Sequence, residues 1–215
     1  ITSADCQAVT NAIEATELRD ETPCSFAALL DANAPALCSG NVPNTILLQD
    51  WESGSSGWTA TTRAVANPST FDAPDWSIQS SLPGSRSGSA MFVPNVVVGN
   101  CGADTEAGVL VLESPSIALP ADITTARIAF DHWVATETEW DGSNVKISVN
   151  GGTWSLIPGS AFSFNSYNST LKTSDNPNTG EPAFSGTDGG SNGGSWGQSQ
   201  LSLASLANPG DTIAL

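Results

Sequence analysis

The sequence is poor in positive charge. Lys and Arg number six against 22 Asp and Glu, so the formal net charge at pH 7 is −16. Nucleic-acid phosphates and anionic membrane surfaces both attract clustered cations, which this chain does not have. We therefore expect neither nucleic acid nor a membrane among its partners. The acids either keep a surface soluble or supply oxygen ligands to a divalent cation.

Long apolar runs are also missing. No stretch approaches the roughly 18 apolar residues that would span a bilayer. A basic region followed by an apolar region, which would mark a signal peptide, is absent as well. The chain begins at Ile1 without a methionine. We expect a processed, trimmed or partial chain.

Histidine occurs once, at His132. A zinc peptidase site needs two histidines one helical turn apart in an H-E-x-x-H motif, so this chain cannot form one. A Ser-His-Asp triad would have to use His132, which lies in a strand pattern, and the G-x-S-x-G elbow is absent. The spacing of Glu137 and Glu139 is too common to indicate a glycosidase dyad. We predict that the chain is not an enzyme and that His132 packs or hydrogen-bonds inside the fold.

Cysteine pairs of the C-x-x-C type are absent too, which argues against zinc. The even number of cysteines favours disulfides and, together with a glycosylation sequon at Asn168, a secreted protein; the four are Cys6, Cys24, Cys38 and Cys101. Of the three pairings that four cysteines allow, Cys24–Cys38 closes the shortest loop, and Cys6–Cys101 would then tie the N-terminal segment to the body. The sequence does not choose among the three.

Residues 1–43 differ from everything after them. Ser3 is a candidate N-cap, and the apolar residues that follow it recur at helical spacing. The stretch "SFAALLDANAPALC" (25–38) predicts a second short helix, which Pro35 ends. We predict a short, cysteine-containing helical segment here.

Residues 44–215 show the period-2 alternation of strands. Strands are predicted in "NTILLQDWES" (44–53), "SAMFVPNVVVGN" (89–100), "GVLVLESPSIAL" (108–119), "ARIAFDHWVA" (126–135) and "NVKISVNGGTWSLI" (144–157). Asn150-Gly151 predicts a hairpin turn, because such turns need positive φ. Many short strands with Gly, Pro and Asn turns and no intervening helices predict a mainly β domain, an antiparallel β-sandwich.

Two regions resemble known families. Residues 2–18, "TSADCQAVTNAIEATEL", resemble the final helix of the catalytic domain in thermolysin-like secreted metallopeptidases. Residues 46–215 resemble the jelly-roll module of immune-inhibitor-A-like and related secreted bacterial peptidases, a relative of MAM-type domains. The residues that carry this second resemblance are "DWESGSSGWT" (50–59), "LESPSIALP" (112–120), "FDHWVATETEWDGSNVKISVNGGTW" (130–154) and "NPGDTIAL" (208–215).

The resemblance implies the end of a peptidase domain over residues 1–43 and a jelly-roll module over residues 44–215 that lacks its last strands. It implies a secreted, non-catalytic accessory module that docks substrate or a surface. Its partners would be the neighbouring catalytic domain or an extracellular protein or polysaccharide. One alternative is a stand-alone carbohydrate- or surface-binding module. Another is a structural assembly unit that is completed by strand addition from another molecule.

The resemblance also implies a structural calcium ion. Calcium takes six to eight oxygen ligands, several of them from carboxylates. In the family, an acid in the first strand and acids near the later turns hold the ion, which here correspond to Glu52 and Asp141, then Asp50, with Glu139 in reserve. We expect Asp50 and Glu52 on one face of an edge strand. The alternative is that these acids face solvent or accept turn N–H groups.

Seven tryptophans suggest sugar binding, since aromatic faces stack on carbohydrate rings. Trp58 and Trp154 lie in family motifs and are expected to pack in the core or at its rim. Trp76 and Trp196 lie in loop-like surroundings and are therefore the predicted ligand-binding residues.

Overall fold

The structure is a computed structural model of the 215-residue chain, and it describes residues 34–38, 44–66, 75–93, 107–172, 177–186 and 196–215. The strands within these ranges are β1 (Thr59–Ala66), β2 (Ser77–Gln79), β3 (Ala90–Phe92), β4 (Ala107–Glu113), β5 (Ile117–Ala118), β6 (Arg127–Trp133), β7 (Lys146–Val149), β8 (Ser155–Leu156), β9 (Phe162–Phe164), β10 (Ser169–Thr170), β11 (Pro182–Ala183), β12 (Trp196–Ser202) and β13 (Thr212–Ala214). Two single turns of 3-10 helix occur at Pro83–Ser85 and Gly159–Ala161.

Two antiparallel sheets enclose the core. One has the strand order β6-β12-β9 and the other β5-β13-β7-β8. Leu201 of β12 joins Ile147 of β7 and Ile213 of β13 in one buried apolar cluster. The predicted antiparallel, mainly β sandwich is therefore confirmed. Its jelly-roll connections and its missing last strands stay predictions.

Alternation along the strands explains which face is buried. In β6, Arg127 and Ala129 are exposed, whereas Ile128 and Phe130, which alternate with them, pack against the core. Successive side chains of a strand point to opposite faces, so one face of this strand meets the core. Three further strand pairs, β1-β4, β2-β3 and β10-β11, lie outside the two main sheets.

The hairpin β7-β8 forms where the sequence predicts it. Asn150 and Gly151 have φ values of 53° and 69°, and the Gly152 N–H donates to the Val149 carbonyl at 2.9 Å. A two-residue turn with positive φ at both positions matches the right-handed twist of its strands. The strand prediction for residues 144–157 is thus confirmed on both sides of the turn.

The predicted strand over residues 44–53 is wrong. The described residues 44–50 are irregular, and Trp51 has a φ of 66°, which no strand residue adopts. The Asp50 carboxylate accepts the Glu52 N–H at 3.1 Å, and this local turn competes with the strand ladder. Asp50 and Glu52 therefore lie in a turn instead of on one face of an edge strand.

The N-terminal predictions fall mostly on residues outside the described ranges. Both predicted helices and Cys6, Cys24 and Cys101 belong there, so the disulfide pairings stay predictions. Residues 34–38 form an irregular bend, and Cys38 is half-buried with a free thiol among the described residues. No helix in the described ranges is long and apolar enough to cross a membrane.

Candidate functional site

His132 is part of a buried hydrogen-bond chain. Its Nε2 lies 2.9 Å from the hydroxyl of Ser199, and that hydroxyl donates its one proton to the Asn165 carbonyl at 2.6 Å. The imidazole must therefore be the donor toward Ser199, which cannot act as an activated nucleophile in this arrangement. Burial lowers the pKa of His132 to about 4, although the charge of Asp131 opposes the shift. The prediction that His132 hydrogen-bonds inside the fold is confirmed.

The first pair of predicted calcium ligands is tied to a neighbouring loop. The Glu52 carboxylate accepts the Ser89 N–H at 2.6 Å and the Ser89 hydroxyl at 3.2 Å. One Asp50 oxygen already accepts the Glu52 N–H. These contacts match the alternative interpretation, in which the acids accept turn N–H groups.

The second pair lies in the turn over residues 137–141, between β6 and β7. Glu139 forms an ion pair of 2.9 Å with the exposed ammonium of Lys172. Asp141 is half-buried, and burial followed by the negative charge of Glu137 raises the pKa of its carboxyl. A cation beside Asp141 and Glu137 would relieve both effects.

The four predicted ligands do not form one metal site in this structure. Calcium needs several carboxylates converging on one point. Within the described ranges, no group of three or more His, Cys, Asp or Glu side chains has the arrangement to hold a metal ion. The structural calcium ion therefore stays a prediction.

Trp196 is engaged by the loop that follows β2. Its indole N–H donates to the Pro83 carbonyl at 2.9 Å, and the Arg86 guanidinium lies 4.1 Å from its ring centroid. Arg86 also pairs with Asp131 at 2.9 Å, and Trp133 packs edge-on against Trp196. One face of the Trp196 ring is thus covered by a cation. The indole surface available to a sugar is therefore smaller than the loop-like sequence predicts.

Trp76 is half-buried beside the ladder of β1 and β4. Its indole N–H donates to the Leu110 carbonyl in β4 at 3.0 Å. Such bonds are what a buried indole nitrogen needs, and they hold Trp76 to the body of the protein. Neither tryptophan stands free in a loop, and their ligand-binding role stays a prediction.

A cleft of about 290 Å³ lies beside the four-stranded sheet. Strand β13 forms its floor, through Thr212, Ile213 and Ala214. This strand is held centrally, because Ile213 pairs with Ile117 of β5 on one side and with Val149 of β7 on the other. The floor is therefore held by backbone pairing on both sides.

The hairpin turn of β7-β8 forms one wall of the cleft. Ser148, Gly151, Gly152 and Trp154 line it, and the Ser148 hydroxyl fixes the turn by donating to the Gly152 carbonyl at 2.8 Å. The turn is also tied to the neighbouring loop, since Asn150 donates to the Asp211 carboxylate at 2.8 Å. A side chain at Gly152 would crowd the turn, because a Cβ there would lie 2.9 Å from the Val149 carbonyl oxygen.

The segment between β4 and β5 forms the opposite wall, with Glu113, Ser114 and Ser116. Ser114 fixes this wall: its N–H donates to the Leu215 carbonyl at 2.8 Å, and its hydroxyl accepts the Leu215 N–H at 2.9 Å. The carboxylate of Glu113 is half-buried and has no hydrogen-bond or ion-pair partner among the described residues.

The cleft combines the aromatic ring of one tryptophan with several polar groups. Trp154 supplies a half-buried indole, Glu113 a carboxylate, and Ser116 an exposed residue with a hydroxyl. Sites for small polar molecules combine an aromatic surface with a few fixed polar groups in this way. The residues that line the cleft include neither a histidine nor a cysteine.

Sequence reasoning missed this cleft. Trp154 was expected only to pack, and Glu113 lies far from it along the chain, so no local motif joins them. The usable signal was the Asn150-Gly151-Gly152 turn, which places Trp154 at the start of the returning strand. Comparison with known protein families, curated proteins and solved structures finds no match to this chain.

Proposed function

We propose that this chain is a non-catalytic accessory module of a secreted metallopeptidase, and that it docks the enzyme on carbohydrate through the cleft lined by Glu113 and Trp154. The cleft is the observation on which the proposal depends. Sugar rings offer C–H faces that pack on an indole and hydroxyl groups that donate to a carboxylate. The link to a peptidase rests on the sequence resemblance of residues 46–215.

The buried hydrogen-bond chain at His132 supports the non-catalytic part of the proposal. In acyl transfer, a histidine accepts the proton of an exposed serine. Here Ser199 is fully buried, and its proton is directed to the Asn165 carbonyl. Among the described residues this is the one pairing of a serine hydroxyl with a histidine ring, and its direction is opposite to what nucleophilic catalysis requires.

Affinity electrophoresis tests the cleft. The full chain is run through native gels that contain xylan, mixed-linkage β-glucan or glycol chitin. We expect at least one polymer to retard the wild type, Trp154→Ala to abolish the retardation, and Glu113→Gln to weaken it. Trp140→Ala is the matched control, because Trp140 is exposed and lies outside the cleft lining. A wild type that no polymer retards, or a Trp154→Ala protein that migrates like it, would overturn the proposal.

The structural calcium ion is tested separately. Thermal melting is measured in calcium and in excess EDTA, for the wild type and for Asp141→Asn. A bound ion stabilises only the native state and raises its melting midpoint. We expect calcium to raise the wild-type midpoint and to leave that of Asp141→Asn unchanged. Equal wild-type midpoints in both buffers would exclude the calcium ion and would leave the proposal for the cleft unchanged.

Assembly by strand addition is a second candidate, favoured by one observation. Ile46, Leu47 and Leu48 are 43%, 40% and 77% exposed, and they belong to none of the described strands. A run of exposed apolar residues that belongs to no sheet is a surface on which another molecule could pack or pair. Sedimentation velocity over a hundredfold concentration range tests it: we expect oligomers that Leu48→Asp dissociates, and a wild type that remains monomeric throughout excludes this function.

A further inference from the structure

The side chain of Asn168 pairs with the backbone of Ser185 through both of its polar atoms. Its Nδ2 donates to the Ser185 carbonyl at 3.0 Å, and its Oδ1 accepts the Ser185 N–H at 3.0 Å. The pairing continues the short ladder of β10 and β11, in which Ser169 faces Ala183. Asn168 thus acts as a side-chain clamp on the chain just beyond the end of β11.

Ser185 in turn holds the turn over residues 137–141. Its side chain is 4% exposed. The hydroxyl donates to the Asp141 carbonyl at 2.5 Å and accepts the Glu139 N–H at 2.8 Å. The clamp at Asn168 therefore contributes, through Ser185, to the position of this turn, which carries two of the predicted calcium ligands and is also held by the Lys172 N–H on the Glu139 carbonyl at 2.8 Å.

Asn168 is also the first residue of the N-glycosylation sequon Asn168-Ser169-Thr170. Glycosylation forms a bond from Nδ2 to the anomeric carbon of a lipid-linked sugar diphosphate, with loss of one Nδ2 proton and departure of the diphosphate. The side chain then changes from a primary amide, with two N–H groups, to a secondary amide with one.

That change decides which way the remaining N–H points. A pairing through both amide atoms needs the N–H on the same side as Oδ1. A secondary amide strongly prefers the trans form, which places its carbon substituent on the side of the oxygen and its N–H on the opposite side. The sugar carbon would therefore occupy the position from which Nδ2 donates to the Ser185 carbonyl.

We propose that Asn168 is a structural clamp, and that glycosylation at this sequon and native closure of the clamp on Ser185 are mutually exclusive. The folded domain keeps Asn168 unmodified, and a glycan attached before folding removes the clamp that positions Ser185 beneath the 137–141 turn. The sequon is thus a site at which modification would control folding.

The clamp itself is tested in protein from a host that does not glycosylate. Asn168→Asp keeps the shape and one acceptor but loses the donor and sets a negative oxygen against the Ser185 carbonyl. We expect its melting midpoint to fall by about 3–6 °C, as the loss of one or two such hydrogen bonds implies for a chain of this size. Thr170→Ala removes the sequon without touching the clamp and is expected within about 1 °C of the wild type. Equal midpoints for the wild type and Asn168→Asp would overturn the proposal.

The exclusion is tested by secreting the wild type and Thr170→Ala from a glycosylating eukaryotic host and mapping the peptide that contains residue 168 by mass. We expect the folded wild type to carry no glycan there, or any glycosylated fraction to melt below Thr170→Ala by the same interval as Asn168→Asp. A glycosylated fraction that melts together with Thr170→Ala would show that the sugar and the clamp coexist, and the proposal would be wrong.

Discussion

The Nε2 of His132 donates to the buried hydroxyl of Ser199 across 2.9 Å, and this bond links β6 to β12 inside the three-stranded sheet. The ring also lies 4.5 Å from the ring of Phe184, measured between centroids. Protonation would place a charge in these surroundings and is therefore opposed. The only histidine of the chain is a structural residue that is sensitive to acid.

The stability of the domain is expected to fall as the pH drops from about 6.5 towards 4. The folded pKa of His132, about 4, is below the ordinary histidine pKa of 6.5, so the unfolded chain takes up the proton first. The free energy of unfolding is lower by about 3 kcal/mol below pH 4, and the effect is absent above pH 7. Urea unfolding of the wild type and His132→Gln at pH 7.5, 5.5 and 4.5 measures it. Parallel pH profiles for the two proteins would contradict this prediction.

Asp211 is predicted to stabilise the loop beside the cleft. It accepts the Asn208 N–H at 2.7 Å and the Asn150 amide at 2.8 Å, and these bonds lower the pKa of its carboxyl, the one from Asn208 most. A lowered folded pKa means that the contribution is present above the ordinary pKa and is lost as the pH falls through the folded value. We expect Asp211→Ala to lower the melting midpoint at pH 7 and to converge with the wild type in strong acid. Asp122→Ala, at an exposed aspartate after β5, is the control, and an equal effect there would refute the prediction.

Replacement of Arg86 by lysine is predicted to lower the stability of the domain. Its planar guanidinium both stacks on Trp196 and pairs with Asp131, whereas an ammonium cannot do both. We expect Arg86→Lys to lose about 1–2 kcal/mol of unfolding free energy, with a change in tryptophan emission. Arg127→Lys, at an exposed position of β6, should change neither quantity. If Arg86→Lys behaves like Arg127→Lys, the stacked pair contributes nothing to stability.

Truncation of a leucine to alanine is predicted to destabilise the protein much more in the core than in the exposed segment over residues 46–48. Leu201 is fully buried between the sheets, and Leu48 is 77% exposed. We expect Leu201→Ala to cost about 2–5 kcal/mol and Leu48→Ala less than about 0.5 kcal/mol. Guanidinium unfolding of both variants measures the difference. Similar losses at the two positions would mean that Leu48 is buried in solution.

Features encoded by neighbouring residues were predictable from the sequence. The alternation of Ile128 and Phe130 placed β6, and the positive-φ turn at Asn150 placed β7-β8, because both depend on local backbone preferences. The strand over residues 44–53 failed for an equally local reason: the Asp50 side chain bonds the chain two residues on and closes a turn. A polar side chain that hydrogen-bonds the nearby backbone can override the alternating pattern of a strand.

Features that depend on distant contacts were not predictable. Trp196 has glycine and serine neighbours and was expected to be exposed, yet it bonds to Pro83, 113 residues away. The cleft likewise joins Glu113 to Trp154 only through the pairing of β13 with β5 and β7. The alternation of apolar residues and the residues that form turns indicate where each strand lies. The order of strands in a sheet decides which side chains meet.

The ion pairs have a consequence for the behaviour of the protein in salt. Among the described residues, Arg86, Lys146 and Lys172 are each held by one carboxylate. In the whole chain, acids outnumber cations by 22 to six. The surplus anions repel one another across the compact state, and mobile counter-ions weaken that repulsion beyond a Debye length of about 10 Å at 0.1 M. Added salt is therefore expected to raise the free energy of unfolding of the folded chain.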